Sequence, residues 1–223
     1  MTDTHTHILP GMDDGAKDLE ESLELLAMCR DQGVETVVLT PHFYPDRESA
    51  NHFLKRRDQA FAALQAAVTP DLPHLVLGAE VAWCSGIEHM EQIDRLTMGD
   101  SNYLLLEMPQ SAWNSEQLNS VWRLATDGQV VPVLAHVERF LDLQRDGQFE
   151  TLSDLQIPMQ LSAGMFGKFF GRKKALRLLA QGRWMIGSDC HNTTSRPPCM
   201  AEAARYLQSK APNLRSALYW GIY

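Results

Sequence analysis

The stretch DTHTHILPGMDDGAKD, residues 3–18, is the part of the chain from which the rest can be read. It opens with a short strand pattern over residues 2–7 and ends that strand in His5-x-His7. Strand side chains repeat every second residue, so the two imidazoles share one side. Pro10, Gly11 and Gly15 then mark a loop, and Asp14 lies within it. A helix is expected over about 18–32. Asp18 followed by Glu21 makes a capping box, Leu19, Leu23 and Leu26 form an apolar stripe, and Gly33 stops the helix.

Working outward, the same alternation recurs. Residues 36–40 (TVVLT) form a β-branched strand of the buried kind. Further strands are expected at 75–81, 103–107, 130–135, 159–162 and 185–188. Helices are expected at about 48–67, 116–127, 173–181 and 200–209. Seven strands alternating with helices give an α/β chain with a parallel sheet, and a closed or nearly closed barrel suits the count. No linker, repeat or charge block interrupts the pattern, so residues 1–223 read as one domain.

Composition narrows the function. The 223 residues are 44% hydrophobic and 22% charged, which excludes wholesale disorder. The formal charge of -8 and pI near 5.4 argue against coating nucleic acid or an anionic membrane. The N-terminus carries neither the basic nor the apolar region of a secretory signal, and no apolar run reaches bilayer length. Cys29, Cys84, Cys190 and Cys199 form no C-x-x-C pair, which suits a reduced, cytoplasmic chain.

Metal-ligand residue types collect where these strands end. His5 and His7 close the first, His42 follows the second, Glu80 ends the third and Glu107 the fourth. His136 follows the fifth; Asp189 and His191 follow the seventh. In a parallel barrel those ends share one face, where active sites sit. Asp189-x-His191 repeats the spacing of His5-x-His7. Imidazole with carboxylate suits Zn, Mn or Fe, and richer carboxylate sets lean toward Mn or Mg.

HTHILPGMDDG at 5–15, TPHFYP at 40–45, GAE at 78–80, LLLEMP at 104–109, LAHVERF at 134–140 and GSDCHNTTSRPP at 187–198 extend the pattern along the chain. Together they resemble the polymerase-and-histidinol-phosphatase (PHP) superfamily, and within it the bacterial capsule-type tyrosine-protein phosphatases. That resemblance implies a distorted (β/α)7 barrel holding three divalent metal ions, manganese first and iron or zinc as alternatives. It implies His5, His7, Glu80 and Asp189 on one metal, Glu80, Glu107 and His136 on a second, and Asp14, His42 and His191 on a third. Glu107 resembles the capsule-type enzymes, where many other members of the superfamily have His. The resemblance also implies that Arg139 and Arg196 hold the phosphoryl oxygens. Guanidinium forks match phosphate oxygens in pairs, as lysine does not. Three divalent ions would outweigh Asp14, Glu80, Glu107 and Asp189 and leave a positive pocket in an acidic chain.

The chemistry so implied is attack of a metal-bound hydroxide on a phosphotyrosine phosphorus. The implied partner is the tyrosine-rich tail of a bacterial tyrosine autokinase that controls capsule or exopolysaccharide assembly. A small-molecule phosphatase such as one acting on histidinol phosphate, and a non-catalytic module binding a phosphorylated partner, are the alternatives. The oligomeric state stays open. Cys190 and Arg196 match the C-x5-R spacing of cysteine-dependent phosphatases, but such a match arises by chance roughly one time in four, and residues 191–195 contain no glycine. Cys190 is therefore read as a buried thiol. Phe43, Tyr44 and Trp113 are either walls of a phenyl-ring pocket or partly buried loop aromatics. His52, His74 and His89 have no place in the ligand pattern. SAGMFGKFFGRKK at 162–174 either borders the pocket, contacts an acidic peptide, or leads into a solvated basic helix.

Overall fold

In a computed structural model, residues 1–126, 129–145 and 147–219 are described. Parallel strands alternate with helices in the order β1 (Thr2–Thr6), α1 (Leu19–Asp31), β2 (Thr36–Leu39), β3 (His42–Phe43), α2 (Ala50–Ala67), β4 (His74–Leu77) and β5 (Glu80–Ala82). There follow β6 (Tyr103–Glu107), α3 (Ser115–Thr126), β7 (Val131–Leu134), α4 (Gln148–Asp154), β8 (Met159–Ser162), α5 (Phe169–Leu179), β9 (Trp184–Gly187) and α6 (Met200–Lys210).

The strands form two parallel sheets, one of order β1-β2-β4 and one of order β3-β5-β6-β7-β8-β9. Two expected strands are each interrupted. The strand at 36–40 stops at Leu39 and resumes as β3, because Pro41 offers no amide to a ladder. The strand at 75–81 breaks at Gly78-Ala79 into β4 and β5. His42 thus begins a short strand instead of following a longer one, Glu80 begins one instead of ending one, and the two are paired partners in the β3–β5 register. The expected helix at 116–127 ends within the described residues at Thr126; Asp127 lies outside them. The short α4 had no expectation attached.

One seam brings the sheets together. Thr6 bridges Cys190. Asp189 N donates to His5 O at 2.8 Å, and His7 N to Cys190 O at 2.9 Å. Thr4 Oγ1 donates to Ile186 O at 3.1 Å. Close approach of β9 to β1 needs a residue without a side chain: a Cβ on Gly187 would stand 2.5 Å from His5 Cβ.

Alternate strand positions feed two apolar layers. Val38 and Val76 from one sheet, with Leu105, Val133 and Met185 from the other, pack into a single buried cluster. Their neighbours Val37, Leu39, Leu104, Leu106, Leu134 and Ile186 belong to a second cluster shared with the helices. Both faces of the strands are therefore buried, each such side chain contributing about 1.5–3 kcal/mol. In α1, Asp18 caps Glu21 N at 3.0 Å, and Gly33 ends the turn with φ +79. Its buried face is Ser22, Leu25, Leu26 and Cys29, rotated from the expected Leu19–Leu23–Leu26 stripe; Leu19 is exposed.

Beneath the seam lies Asp3, fully buried. Its Oδ1 accepts Ser188 N at 2.7 Å, and Oδ2 has no partner. Burial raises its pKa to about 6, against the lowering by its hydrogen bonds and His5. The folded state therefore takes up this proton more readily than the unfolded chain, and stability from protonation is lost as pH rises through 6. A shift of this size corresponds to about 3 kcal/mol. In metal-free protein, Asp3→Asn should gain stability relative to the parent between pH 4.5 and 7.5 in denaturant titrations. A difference that stays constant across that range would refute this assignment.

Candidate metal centre

His5 sits in β1 and His7 just past it; His42 opens β3, Glu80 opens β5 and Glu107 ends β6. His136 follows β7, Asp189 and His191 follow β9, and Asp14 lies in the β1–α1 loop. The fold brings all of these side chains to one place. His7 lies with ring centroids 3.9 Å from His191, 4.5 Å from His42 and 5.1 Å from His5. His136 stacks 5.6 Å from His5. Two of the positions hold left-handed backbone, His136 at φ 30 and Asp189 at φ 56. Such conformations cost about 1–3 kcal/mol each outside glycine and gather at functional sites.

Hydrogen bonds behind the rings decide which nitrogens face inward. Gln160 Oε1 accepts His136 N at 2.6 Å, which fixes its amide orientation, and the same oxygen lies 3.2 Å from His5 Nδ1. His5 Nδ1 is therefore the protonated donor. Asp13 Oδ2 accepts from His7 Nδ1 at 2.8 Å and from His42 N at 2.8 Å. The remaining nitrogens, His5 Nε2 and His7 Nε2, face each other at 3.1 Å. Glu80 Oε2 stands 3.2 and 3.3 Å from them, and Asp189 Oδ1 3.6 and 3.4 Å. Lone pairs converge here from four side chains, so the geometry asks for a cation.

Two further groups adjoin the first. Glu80 Oε2 is 2.9 Å from His42 Nδ1, and Glu80 Oε1 is 2.9 Å from His136 Nε2, which is 3.5 Å from Glu107 Oε1. Asp14 Oδ1 is 3.6 Å from His42 Nε2 and 3.4 Å from His191 Nε2. Ligand atoms of His5, His7 and Glu80, of His42, Glu80 and Glu107, and of His7, Asp14, His42 and His191 each lie within 4.8 Å of one another. His42 thus stands between two groups, where the sequence resemblance placed it in one. Glu80 Oε2, His42 Nδ1 and His191 Nε2 are buried without a hydrogen bond, as metal-directed atoms would be. Imidazole and carboxylate donors together fit Mn, Fe or Zn.

Electrostatics agree with this. Burial opposes charge on Glu80, yet His5, His136 and His42 hold its pKa well below the carboxylate range. Burial lowers His5 and His7, but Glu80 and Asp189 for the first, and Asp13, Asp189 and Glu80 for the second, raise both overall. Burial, with His7 nearby, lowers His191 to about 4, so this ring is neutral at pH 7. Burial beside Glu80 raises Glu107.

Both expected arginines reach the rim. Arg139 Nη2 and Arg196 Nη2 donate to the same atom, Asp189 Oδ2, the latter at 2.8 Å. Tyr44 stacks on His42 at 5.3 Å, and the Arg47 guanidinium lies over its ring at 4.2 Å. Phe43 and Trp113 are core residues, 1% and 3% exposed, packed on Phe53 and Phe140. Cys190 is fully buried in the apolar cluster, while Arg196 turns to Asp189. His52, His74 and His89 are exposed, away from the cluster. The two orienting residues, Asp13 and Gln160, escaped the sequence reading. Asp13 was masked by the adjacent Asp14, and Gln160 had only its place in an apolar strand.

Protons and a metal compete for the raised imidazoles, so apparent metal affinity should rise from pH 6 to pH 8. Asp13→Ala should weaken it about 10–100-fold, as loss of a ligand-orienting carboxylate does, and Asp13→Asn should weaken it less. Competition with a fluorescent chelator measures both. Equal affinity in parent and Asp13→Ala would remove Asp13 from the orienting role.

A family model described as capsular polysaccharide synthesis, CpsB/CapC, matches residues 1–217. Tyrosine-protein phosphatase CpsB of Streptococcus pneumoniae is 31% identical, over 94% of this chain and 90% of that protein. Tyrosine-protein phosphatase YwqE of Bacillus subtilis is 30% identical, over 94% and 85%. A crystal structure from work on those two proteins, described as unique metal-dependent tyrosine phosphatases, superposes with TM-score 0.77 at 26% identity, covering 95% and 87%. A histidinol phosphate phosphatase from Lactococcus lactis shares the fold alone, at TM-score 0.62 and 14% identity over 94% and 93%. By sequence along nearly its whole length, and by fold, the chain belongs to the CpsB/CapC family of capsular polysaccharide synthesis.

Proposed function

We propose that this chain is a metal-dependent protein-tyrosine phosphatase, carried by one domain built as a distorted (β/α)7 barrel of the PHP type. The observation that carries this is the pairing of two features. Lone pairs from His5, His7, Glu80 and Asp189 converge on one point, and Arg139 and Arg196 close over a single Asp189 oxygen at its rim. Two guanidinium groups on one acceptor oxygen are arranged as a phosphoryl group would need them.

His5, His7, Glu80 and Asp189 would hold one ion; Glu80, Glu107, His136 and His42 a second; Asp14, His42, His191 and His7 a third. We take manganese as the preferred metal, with iron or zinc as alternatives. Divalent ions there supply Lewis acidity and draw the pKa of water toward neutrality. The chain's own residues do the rest. Arg139 and Arg196 bind and orient the phosphoryl oxygens and meet the charge that grows on them in the transition state. Tyr44, stacked on His42, would wall the site beside the substrate's phenyl group. Phenol, with a pKa of about 10, leaves without a strong general acid.

The relatives' names and the family description support a phosphotyrosine substrate in capsular polysaccharide synthesis, and we take that substrate to be the tail of a tyrosine autokinase of capsule or exopolysaccharide assembly. Four free cysteines suit a cytoplasmic setting, and no helix among the described residues is long and apolar enough to cross a membrane.

Arg139→Ala and Arg196→Ala should each lower kcat/KM on a phosphotyrosine peptide about 100-fold or more, with metal content unchanged. Cys190→Ala should keep the parent's kcat. Full activity in both arginine variants would refute the phosphate clamp, and a dead Cys190→Ala that still binds metal would point to thiolate chemistry.

A further inference from the structure

Residues 162–174 (SAGMFGKFFGRKK) have no part in the metal centre. They run from the end of β8 through a 3₁₀ turn, Ala163–Gly167, into α5. At the head of α5, Phe169 and Phe170 are 66% and 83% exposed, edge to face at 5.5 Å. Lys173 Nζ lies 5.4 Å from the Phe169 ring. Two adjacent exposed phenylalanines cost solubility, and an apolar patch of this kind inside a charged rim marks an interaction site.

The patch adjoins the phosphate clamp. Lys168 and Gly171, which flank the two phenylalanines in the chain, line an open groove of about 590 Å³ together with Met165, Arg139, Arg196 and Pro197. In a chain of net charge -8, cations prevail here. Arg139, Lys168, Lys174 and Arg196 line it against Glu138 and Asp189, and Lys173 is exposed next to it in the chain. Lys174 is engaged, by Glu138 O at 3.3 Å and Asp142 Oδ2 at 2.8 Å. Lys168 is exposed and outside every ion pair among the described residues.

We propose that this groove seats the stretch of polypeptide beside the phosphotyrosine, and that its preferred occupant is an acidic stretch bearing an aromatic side chain. The carboxylates meet Lys168 and Lys173, and the aromatic ring lies on Phe169 and Phe170. This rests on the phosphatase function proposed above and adds the sequence context of its substrate. A substrate without flanking residues gains nothing from the groove, whereas an acidic peptide gains in KM.

Three substrates test it on the metal-loaded full chain: 4-nitrophenyl phosphate, a phosphotyrosine peptide with Asp and Glu flanks, and the same peptide with Asn and Gln flanks. The acidic peptide should exceed the neutral one about tenfold in kcat/KM, with the advantage shrinking as salt rises. Lys168→Glu with Lys173→Glu should abolish that advantage. Phe169→Ala with Phe170→Ala should reduce it. Both double variants should leave 4-nitrophenyl phosphate turnover at the parent's level. Equal rates on the two peptides, or a parallel loss on all three substrates, would overturn the proposal.

Anisotropy of a labelled acidic peptide with tyrosine in place of phosphotyrosine separates the groove from the chemistry. Salt-sensitive binding that the charge reversal removes supports the groove even if no ester is hydrolysed, in which case the phosphatase assignment falls alone. Binding unaffected by the reversal overturns the groove. A dimer in light scattering that Phe169→Ala with Phe170→Ala disperses, without peptide selectivity, would give the patch to a second copy of this chain.

Discussion

His5 Nε2 and His7 Nε2 stand 3.1 Å apart and aim at one point, because Gln160 and Asp13 take up the opposite ring nitrogens. Glu80 and Asp189 add carboxylate oxygens to the same point. Buried acceptors crowded in this way repel one another, and burying each without a partner costs about 1–3 kcal/mol or more. A shared cation makes the arrangement favourable, and in its absence protons on the raised imidazoles take that place. Much of the surrounding structure exists to hold it.

That includes the seam. β9 lies against β1 only because Gly187 has no side chain to strike His5. The hydrogen bonds from Asp189 and His7 across to His5 and Cys190 then set the register of both ligand-bearing ends. Left-handed backbone at His136 and Asp189, and a buried Asp3 with one unsatisfied oxygen, are further costs at the same place. They are offset by the two apolar layers on either side of the strands.

How much of this was readable beforehand varies with the signal. The alternation of strands and helices was legible, because β-branched runs and amphipathic patterns are local properties. The His-x-His and Asp-x-His spacings were legible for the same reason: a strand's period of two is independent of its neighbours. The breaks at Pro41 and Gly78-Ala79 were not drawn, although both residues that cause them are visible in the sequence. What breaks a strand there is how the chain is carried from one sheet to the other. His42 joining two ligand groups follows from that break, since it places His42 beside Glu80. Gln160 was hidden because a polar residue in an apolar strand gains a role only from what the fold puts beside it. Phe43 and Trp113, open in the sequence between pocket walls and partly buried loop aromatics, are core because packing on Phe53 and Phe140 covers them.

The same logic links centre and rim. Asp189 contributes one oxygen to the imidazoles and offers the other to Arg139 and Arg196. In the proposed function, metal binding and phosphate binding would therefore meet at one carboxylate. The most direct test is phosphate release from a phosphotyrosine peptide by protein stripped of metal and then titrated with manganese, with bound metal quantified at each step. Activity should vanish on stripping and return in step with occupancy of the centre. Undiminished release from protein verified to be metal-free would contradict the central claim.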